Sequence, residues 1–444
     1  MYQSQREKVK TGFWLLSQSR FSYPLFYLLI LFLPTQLGKH FWPNFSFVFG
    51  LRLDYLSPTI YLTDIFIVLI FLFSLPKLKL LARSINKKTL LIFGLLLLSL
   101  IGGNIASKNI LAGFYGIAKI LEYLFLMSFV KINFKNFNKT ILFSGFLIGI
   151  VFESCLSFLQ YFNQGSIGGL LYFFGERAFT AQTPGIANAS INGQLFLRPY
   201  ATFSHPNVLA GFLVVAMLYL FMFFKNQKKY LLFGVFLGTA SLLLTLSRTT
   251  IVLWIAYLVI LFGIPLVKKY KNGFSKSKLL VGFSIFFALI VFVYLIFQNS
   301  FILQRFFLTK ITDESFSQRT ELIQQSMVMF SRSPIFGVGI NNFFNNLSFP
   351  NTQLTPLLIQ PVHNIFFLVL SETGLVGFGC FIYLFAMSLK DLVIRKKIVA
   401  KKYLLMLIFT VIFLGSFDHY FLTIQQGQIL FSIIFGTTLS YGNA

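Results

Sequence analysis

Residues 90–98 read LLIFGLLLL, a stretch with no polar side chain on any face. A helix lying in water keeps a polar side, and a membrane β-strand alternates apolar and polar residues. A segment apolar all round therefore predicts a helix in lipid. It is bounded by Lys87-Lys88 on one side and Gly102-Gly103 on the other. Working outward, the same pattern of apolar runs between charged or Pro/Gly clusters fills the chain. Of 444 residues, 56% are hydrophobic and only 11% charged, against about 25% charged in soluble domains. At about 20 apolar residues per membrane helix, the runs predict about twelve spans: 22–37, 59–75, 90–103, 109–130, 140–162, 205–224, 230–246, 249–267, 279–298, 364–389, 403–417 and 423–441. The expected fold is an all-α, polytopic membrane helical bundle. No small-residue cleavage site follows Leu37, so the first helix is expected to be retained.

The net charge of +25 suggests nucleic acid only until the charges are placed. The N-terminus and alternate loops carry 26 of the 37 Lys and Arg residues and two of the 12 acids, Glu7 and Asp391. One side is thus +24 and the remainder +1. By the positive-inside rule both termini are expected in the cytoplasm, with no nucleic-acid partner. Cys155 and Cys380 both fall in apolar runs, which excludes a disulfide framework or a four-cysteine zinc site and predicts two core thiols.

This orientation divides the chain into helices one to five (1–162), an outer loop (163–204), helices six to nine (205–298), a large outer loop (299–363) and helices ten to twelve (364–444). Short interfacial helices are expected in the large loop, notably over 316–330, where Ser317, Gln318, Glu321 and Gln324-Gln325 supply a polar side. Twelve spans also fit a transporter of two repeated halves, but the long outer loops follow spans five and nine without a matching pattern.

The informative residues are the basic ones outside, because the topology signal works against them; they include Arg177, Arg198, Arg248, Arg305, Arg319 and Arg332. His205, His363 and His419 join them near span ends, and His40 lies on the first outer loop. Around His205, Ser204 is expected to cap a helix whose first turn holds Pro206. Helix N-termini favour anions, although His205 has the plainer reading of a cap. Arg248, in a link of a few residues, either snorkels to headgroups or holds a lipid-linked phosphate. Arg319 either pairs with Glu321 or offers a bidentate phosphate contact. His363 can accept a proton from a hydroxyl or simply cap the helix that follows. Within the spans, Lys119 and Glu122 are expected to form a structural pair, while Asp64, Glu153 and Glu372 are further intramembrane acids. No D-x-D cluster occurs, and the adjacent acids Asp313-Glu314 give a metal site little support.

Four segments together resemble the O-antigen ligase / O-antigen polymerase (Wzy-C-like) superfamily of membrane glycosyltransferases: RPYATFSHPNVLAG (198–211), SRTT (247–250), QRT…SPIFGVGINNF (318–343) and VHNIFFLVLSETGLVG (362–377). Asp418-His419-Tyr420, followed by Gln425-Gln426-Gly427, is similar to a subgroup. The resemblance covers about residues 190–385. It implies a helical bundle with a large outer loop between late spans. It also implies transfer of a glycan from a polyprenyl-diphosphate carrier to an acceptor hydroxyl, without metal or other cofactor. Residue by residue, it carries over diphosphate contacts to Arg248 and Arg319 and assistance of the acceptor to His363. Arg198, His205 and Asn364 are candidates for substrate binding. Inversion at the anomeric carbon is the expected course, since no outer carboxylate stands out as a nucleophile.

The implied partners are the carrier-linked donor, membrane lipids, and a glycan, lipid or protein acceptor. The expected location is the cytoplasmic membrane, and lipopolysaccharide (a lipid A core), a second carrier-linked glycan, a protein and a wall polymer all supply a suitable hydroxyl. Polysaccharide polymerisation and protein O-glycosylation lie within the same superfamily. A flippase or transporter of lipid-linked glycans is the rival class; it predicts charges along a path through the spans, whereas here the His/Arg set lies on one side. The outer aromatics Tyr172, Phe173 and Phe174 suit sugar stacking or interfacial anchoring equally.

Overall fold

The computed structural model describes residues 21–84, 87–191, 194–224, 226–263, 314–348, 359–394 and 400–441. These comprise α1 (Phe21–Leu31), α2 (Leu62–Ser84), α3 (Lys87–Ile105), α4 (Ile110–Asn133), α5 (Lys139–Asn163), α6 (Pro206–Phe223), α7 (Lys228–Leu244), α8 (Arg248–Leu258, continued by a π turn to Gly263), α9 (Glu314–Arg332), α10 (Ile365–Ile394), α11 (Lys401–Gly415), the short α12 (Tyr420–Thr423) and α13 (Gln425–Ser440). Among the described residues, 5 helices, α3 to α6 and α10, are long and apolar enough to cross a membrane. Helix α4 extends for this purpose through the turn at Asn136. Phe21–Leu31, Leu62–Leu75 and Arg248–Gly263 are shorter apolar helices. The predicted span 279–298 lies outside the described residues, as do Arg305, Asp313 and parts of the large outer loop.

The sequence places several boundaries. Asn109 starts α4 by accepting from the Ala112 N–H at 3.1 Å, and Asn138 starts α5 by accepting from Thr140 and Ile141 at 2.9 and 3.3 Å, as N-caps do.

Three expectations need correction. The loops are not purely irregular or helical. The first outer segment pairs β1 (Gly38–His40) with β4 (Thr59–Tyr61) and β2 (Phe47–Val48) with β3 (Leu51–Arg52). The second outer segment holds the hairpin β5 (Asn188–Ile191) and β6 (Gln194–Leu197). Residues 59–61, assigned to span two by their hydropathy, thus belong to a strand. Finally, Cys155 is exposed on α5, whereas Cys380 is buried; a cysteine in an apolar run can face outward as readily as inward.

Helices α6 and α13 form the centre. Every residue from Val208 to Leu220 in α6 and from Ile429 to Ser440 in α13 is buried. A helix apolar all round and enclosed all round is a bundle's core. Helix α4 packs most extensively against α13. A Cβ at Gly436 would meet the Met127 carbonyl oxygen at 2.6 Å, so glycine there permits the close backbone approach typical of membrane helix contacts. Lys119 on α4 pairs with Glu122 at 2.9 Å, as expected, and also with Asp64 of α2 at 2.7 Å. Gln425 extends this network to Asp64 and Thr63.

Helix α10 is broken at Gly374, with φ 61° and ψ −167°. The break frees backbone groups, and the loop after α9 takes them up. Val338 and Gly339 donate to the Ser371 and Glu372 carbonyls at 3.0 Å each, while Leu375 and Val376 donate to the Pro334 and Ile335 carbonyls at 2.8 and 3.2 Å. The Glu372 carboxylate also accepts from the Phe343 N–H at 3.2 Å. Irregular backbone of this kind persists at membrane depth only where protein satisfies it. The SPIFGVGINNF and SETGLVG motifs are therefore two halves of one joint.

Candidate functional site

The joint fixes the end of α9 against α10 and thereby sets the frame for His363, just before α10. Asn364 caps that helix: its Oδ1 accepts from Phe366 and Phe367 at 2.9 and 3.2 Å, and its Nδ2 donates to the Ser416 carbonyl at 3.0 Å. The second bond ties the His363 segment to the turn after α11, which carries Asp418 and His419. As a result His363 Nδ1 lies 3.7 Å from Asp418 Oδ1, and the His363 and His419 rings are 5.0 Å apart.

A third segment reaches the same place from α6. Its local fold is dictated by α5: the Gln160 side chain accepts from the Tyr200 and Ala201 N–H groups at 3.0 and 2.7 Å, and Glu153 accepts from the Thr202 N–H and hydroxyl at 3.0 and 2.9 Å. So held, the chain turns into α6. The cap is His205, whose Nδ1 accepts from the Asn207 N–H at 3.1 Å, with Pro206 in the first turn. The predicted cap Ser204 is corrected: its hydroxyl is buried without a hydrogen-bond partner, because the imidazole reaches the helix end instead.

Asn207 then links the segments. Its Nδ2 donates to Asp418 Oδ2 at 2.9 Å, and its Oδ1 accepts from the Arg198 guanidinium at 2.8 Å. The Arg198 Nε donates to the Thr245 carbonyl at 2.8 Å. Buried Arg198 thus ties β6, the α7–α8 turn and α6 into one chain of bonds ending on Asp418. Arg177, more exposed, donates to the Ser204 carbonyl at 2.8 Å.

Burial sets the protonation states. It pushes His205 down to about 3, helped by Arg198, and His419 down to about 3, helped by the charges of His363 and Arg319 and opposed by Asp418. Both imidazoles are neutral at neutral pH. Burial alone would raise Asp418, but the His363 imidazole beside it holds the carboxyl well below the usual carboxylate range. The cluster therefore presents an ionised carboxylate between imidazoles. A carboxylate beside a histidine orients the ring and stabilises its protonated form, the arrangement that suits a general base.

Arg319 on α9 is half-buried, and its charge is felt at His419. It does not pair with Glu321, whose carboxylate accepts from Gln325 at 2.9 Å. Arg248 opens α8, half-buried, and among the described residues no hydrogen bond or ion pair joins it to the cluster. Its connection runs through the backbone to Thr245. His40 stands apart, sharing Nδ1 with the Ser57 and Thr59 hydroxyls at 3.1 and 2.9 Å and stacking on Trp42. Arg332 is exposed at the end of α9. Tyr172, Phe173 and Phe174 are exposed on a 3-10 turn.

Three cluster members had no role in the sequence reading. Asp418 was visible only as part of a motif, and Asn207 only as a residue of the helix start. Tyr55 carried no signal: its ring stacks on Phe344 and meets His419 edge-on, each at 5.6 Å, so the first outer segment walls the site. His363, Asp418 and His419 offer ligand atoms within 4.8 Å of one another and are the described residues able to hold a metal ion.

Residues 233–382 match a family model described as O-antigen ligase. The motif resemblance is borne out over this segment, which includes Arg248, Arg319, His363 and Asn364 but not Arg198, His205 or Asp418. No curated protein matches the chain.

Proposed function

We propose, from the similarity of residues 233–382 to O-antigen ligase as premise, that this integral membrane protein transfers a glycan from a polyprenyl-diphosphate carrier to an acceptor hydroxyl. The site lies at the outer face of the cytoplasmic membrane with both termini inside, as the charge asymmetry supports. The observation that carries the reading is the His363–Asp418 pair at 3.7 Å, with Arg319 acting on the same cluster. Apo catalytic contacts of this length commonly tighten when substrate binds.

In this reaction His363 takes the proton of the acceptor hydroxyl as its oxygen attacks the anomeric carbon. The bond from that carbon to the phosphate oxygen breaks, and the carrier diphosphate leaves as an anion, giving inversion without need of a metal. Asp418 stabilises the imidazolium. Arg319 and Arg248 receive the negative charge that grows on the diphosphate, the stage at which fixed donors contribute most. Arg198 and Asn207 position Asp418, while His205 and Asn364 hold the two helix starts in register. A ligase, a polymerase and a protein O-oligosaccharyltransferase share this chemistry and differ in the acceptor.

The test uses the protein in lipid nanodiscs with a carrier-linked oligosaccharide and a pool of acceptors, followed by mass spectrometry. Glycan mass should move to an acceptor in the wild type and not in His363→Ala. Retention of all glycan on the carrier, together with passage of the intact lipid-linked glycan across vesicles, would overturn the reading.

A further inference from the structure

We propose that His363, Asp418 and His419 form a reversible binding site for a divalent transition ion of the zinc class, and that its occupation blocks the reaction. The second half of this statement rests on the functional reading above; the binding does not.

The donor set comes first. Two imidazoles and one carboxylate make the three-ligand composition of open zinc sites. Magnesium and calcium prefer shells of oxygen, so this mixed set discriminates against them. The ligand atoms lie within 4.8 Å of one another. Ligands about 2.0–2.1 Å from a tetrahedral ion stand about 3.3 Å apart, so an inward shift of about 1.5 Å at the widest pair closes the site.

Hydrogen bonds around the triad prepare it. Asp418 is held from behind by Asn207 through Oδ2, while Oδ1 accepts from the His419 N–H at 2.8 Å and faces His363. The Thr423 hydroxyl donates to the His419 carbonyl at 3.2 Å and lies 2.6 Å from its Nδ1. With the hydroxyl hydrogen assigned to the carbonyl, Nδ1 carries the ring proton and Nε2 is bare, the orientation that outer partners impose on metal-binding histidines. His363 Nδ1, in contrast, is buried with no hydrogen-bond partner. The 3.7 Å separation from Asp418 leaves this buried atom without a close contact, and a metal ion held between the two would supply one. The nearby Arg319 charge opposes a dication, so the site releases its ion more readily than a closed structural site. The ion would occupy the His363 atom that faces Asp418 and leave the ring's hydrogen on Nε2, so that the imidazole could no longer take a proton from an acceptor hydroxyl.

The experiment titrates Co²⁺ into chelator-treated protein in nanodiscs and reads its visible absorption, which reports coordination without turnover. A saturable band of one ion per chain, bleached by Zn²⁺ but not by Mg²⁺, is expected. Thr423→Val should weaken Co²⁺ binding about 10–100-fold by releasing the His419 ring, and His363→Gln, at a partly exposed position, should abolish the band. Absence of a band in the wild type, or its persistence in a correctly assembled His363→Gln protein, overturns the site. Turnover measured alongside should fall as Zn²⁺ saturates the triad; undiminished turnover with zinc bound overturns the blocking role. If metal-free protein shows no turnover, the glycosyl-transfer reading fails while the cobalt spectrum still decides the site.

Discussion

The Nδ1 atom of His363, just before α10, lies 3.7 Å from Oδ1 of Asp418, in the turn after α11. Two side-chain amide bonds make this meeting possible: Asn364 reaches the Ser416 carbonyl, and Asn207 holds the far oxygen of Asp418. The pair is thus assembled by capping and linking residues on three helices.

Asp418→Asn keeps the shape and the Asn207 contact region but removes the charge that stabilises a protonated His363. Turnover should fall about 10²–10⁴-fold, the range that general-base assistance supplies, with little change in KM. The pH profile of kcat decides between this and a merely structural role: an unchanged profile with normal rate would remove Asp418 from the mechanism.

Arg319→Ala should abolish detectable turnover, a loss of about 10²–10³-fold for one charge-stabilising donor. Because its guanidinium forms no ion pair among the described residues, membrane insertion and thermal stability should stay near wild type. Near-normal turnover would count against the site.

Gly374→Ala addresses the joint. At φ 61° and ψ −167° the backbone occupies a region that is essentially glycine-only, where another residue costs on the order of 1–3 kcal/mol. A Cβ would also meet the Gly337 nitrogen at 2.6 Å. Lower yield and a reduced apparent Tm in detergent are expected, and an unchanged Tm would show that the break is not required.

Acid should destabilise the site. The folded pKa of His419 is pushed down to about 3 from an ordinary value near 6.5, so the unfolded chain takes up the proton first. Its contribution is fully present above about pH 6.5 and is lost as pH falls toward 3, at up to about 1.4 kcal/mol per pH unit. The depressed Asp418 acts in the same direction at lower pH. Apparent Tm measured from pH 7.5 to 4.5 should therefore decline, and His419→Gln should flatten the slope. An identical slope in that variant would assign the acid sensitivity elsewhere.

Lys119→Met would leave Asp64 and Glu122 buried together without their cation. Breaking a buried pair in this way typically costs about 3–5 kcal/mol. Loss of folded protein is expected, with partial rescue when Glu122→Gln is added; full stability of the single variant would show that water or lipid headgroups reach the cluster.

The sequence by itself determined that the chain is a helical membrane protein, because long all-apolar runs have no other stable environment. It also placed the start of α6, since Pro206 in a first turn acts on neighbours within that turn. The chemistry-bearing histidines and arginines stood out for the same local reason: charge on the sparsely charged side is conspicuous. The strands of 38–61 were not legible, because pairings of two or three residues leave no periodic signal and the hydropathy of β4 merges with that of α2. Nor was the use of each candidate. Asn364 and His205 read as possible ligands of substrate, but tertiary contacts engage Asn364 at both ends of its amide and His205 at the start of α6. The interlocking of SPIFGVG with the break at Gly374 required knowing which freed carbonyl meets which N–H. The pairing of His363 with Asp418 was decided in the same way, by bonds between helices distant in sequence. Burial then made neutral imidazoles of His205 and His419, since the low-polarity interior penalises the charged form, and this enclosure exists only once the bundle has closed.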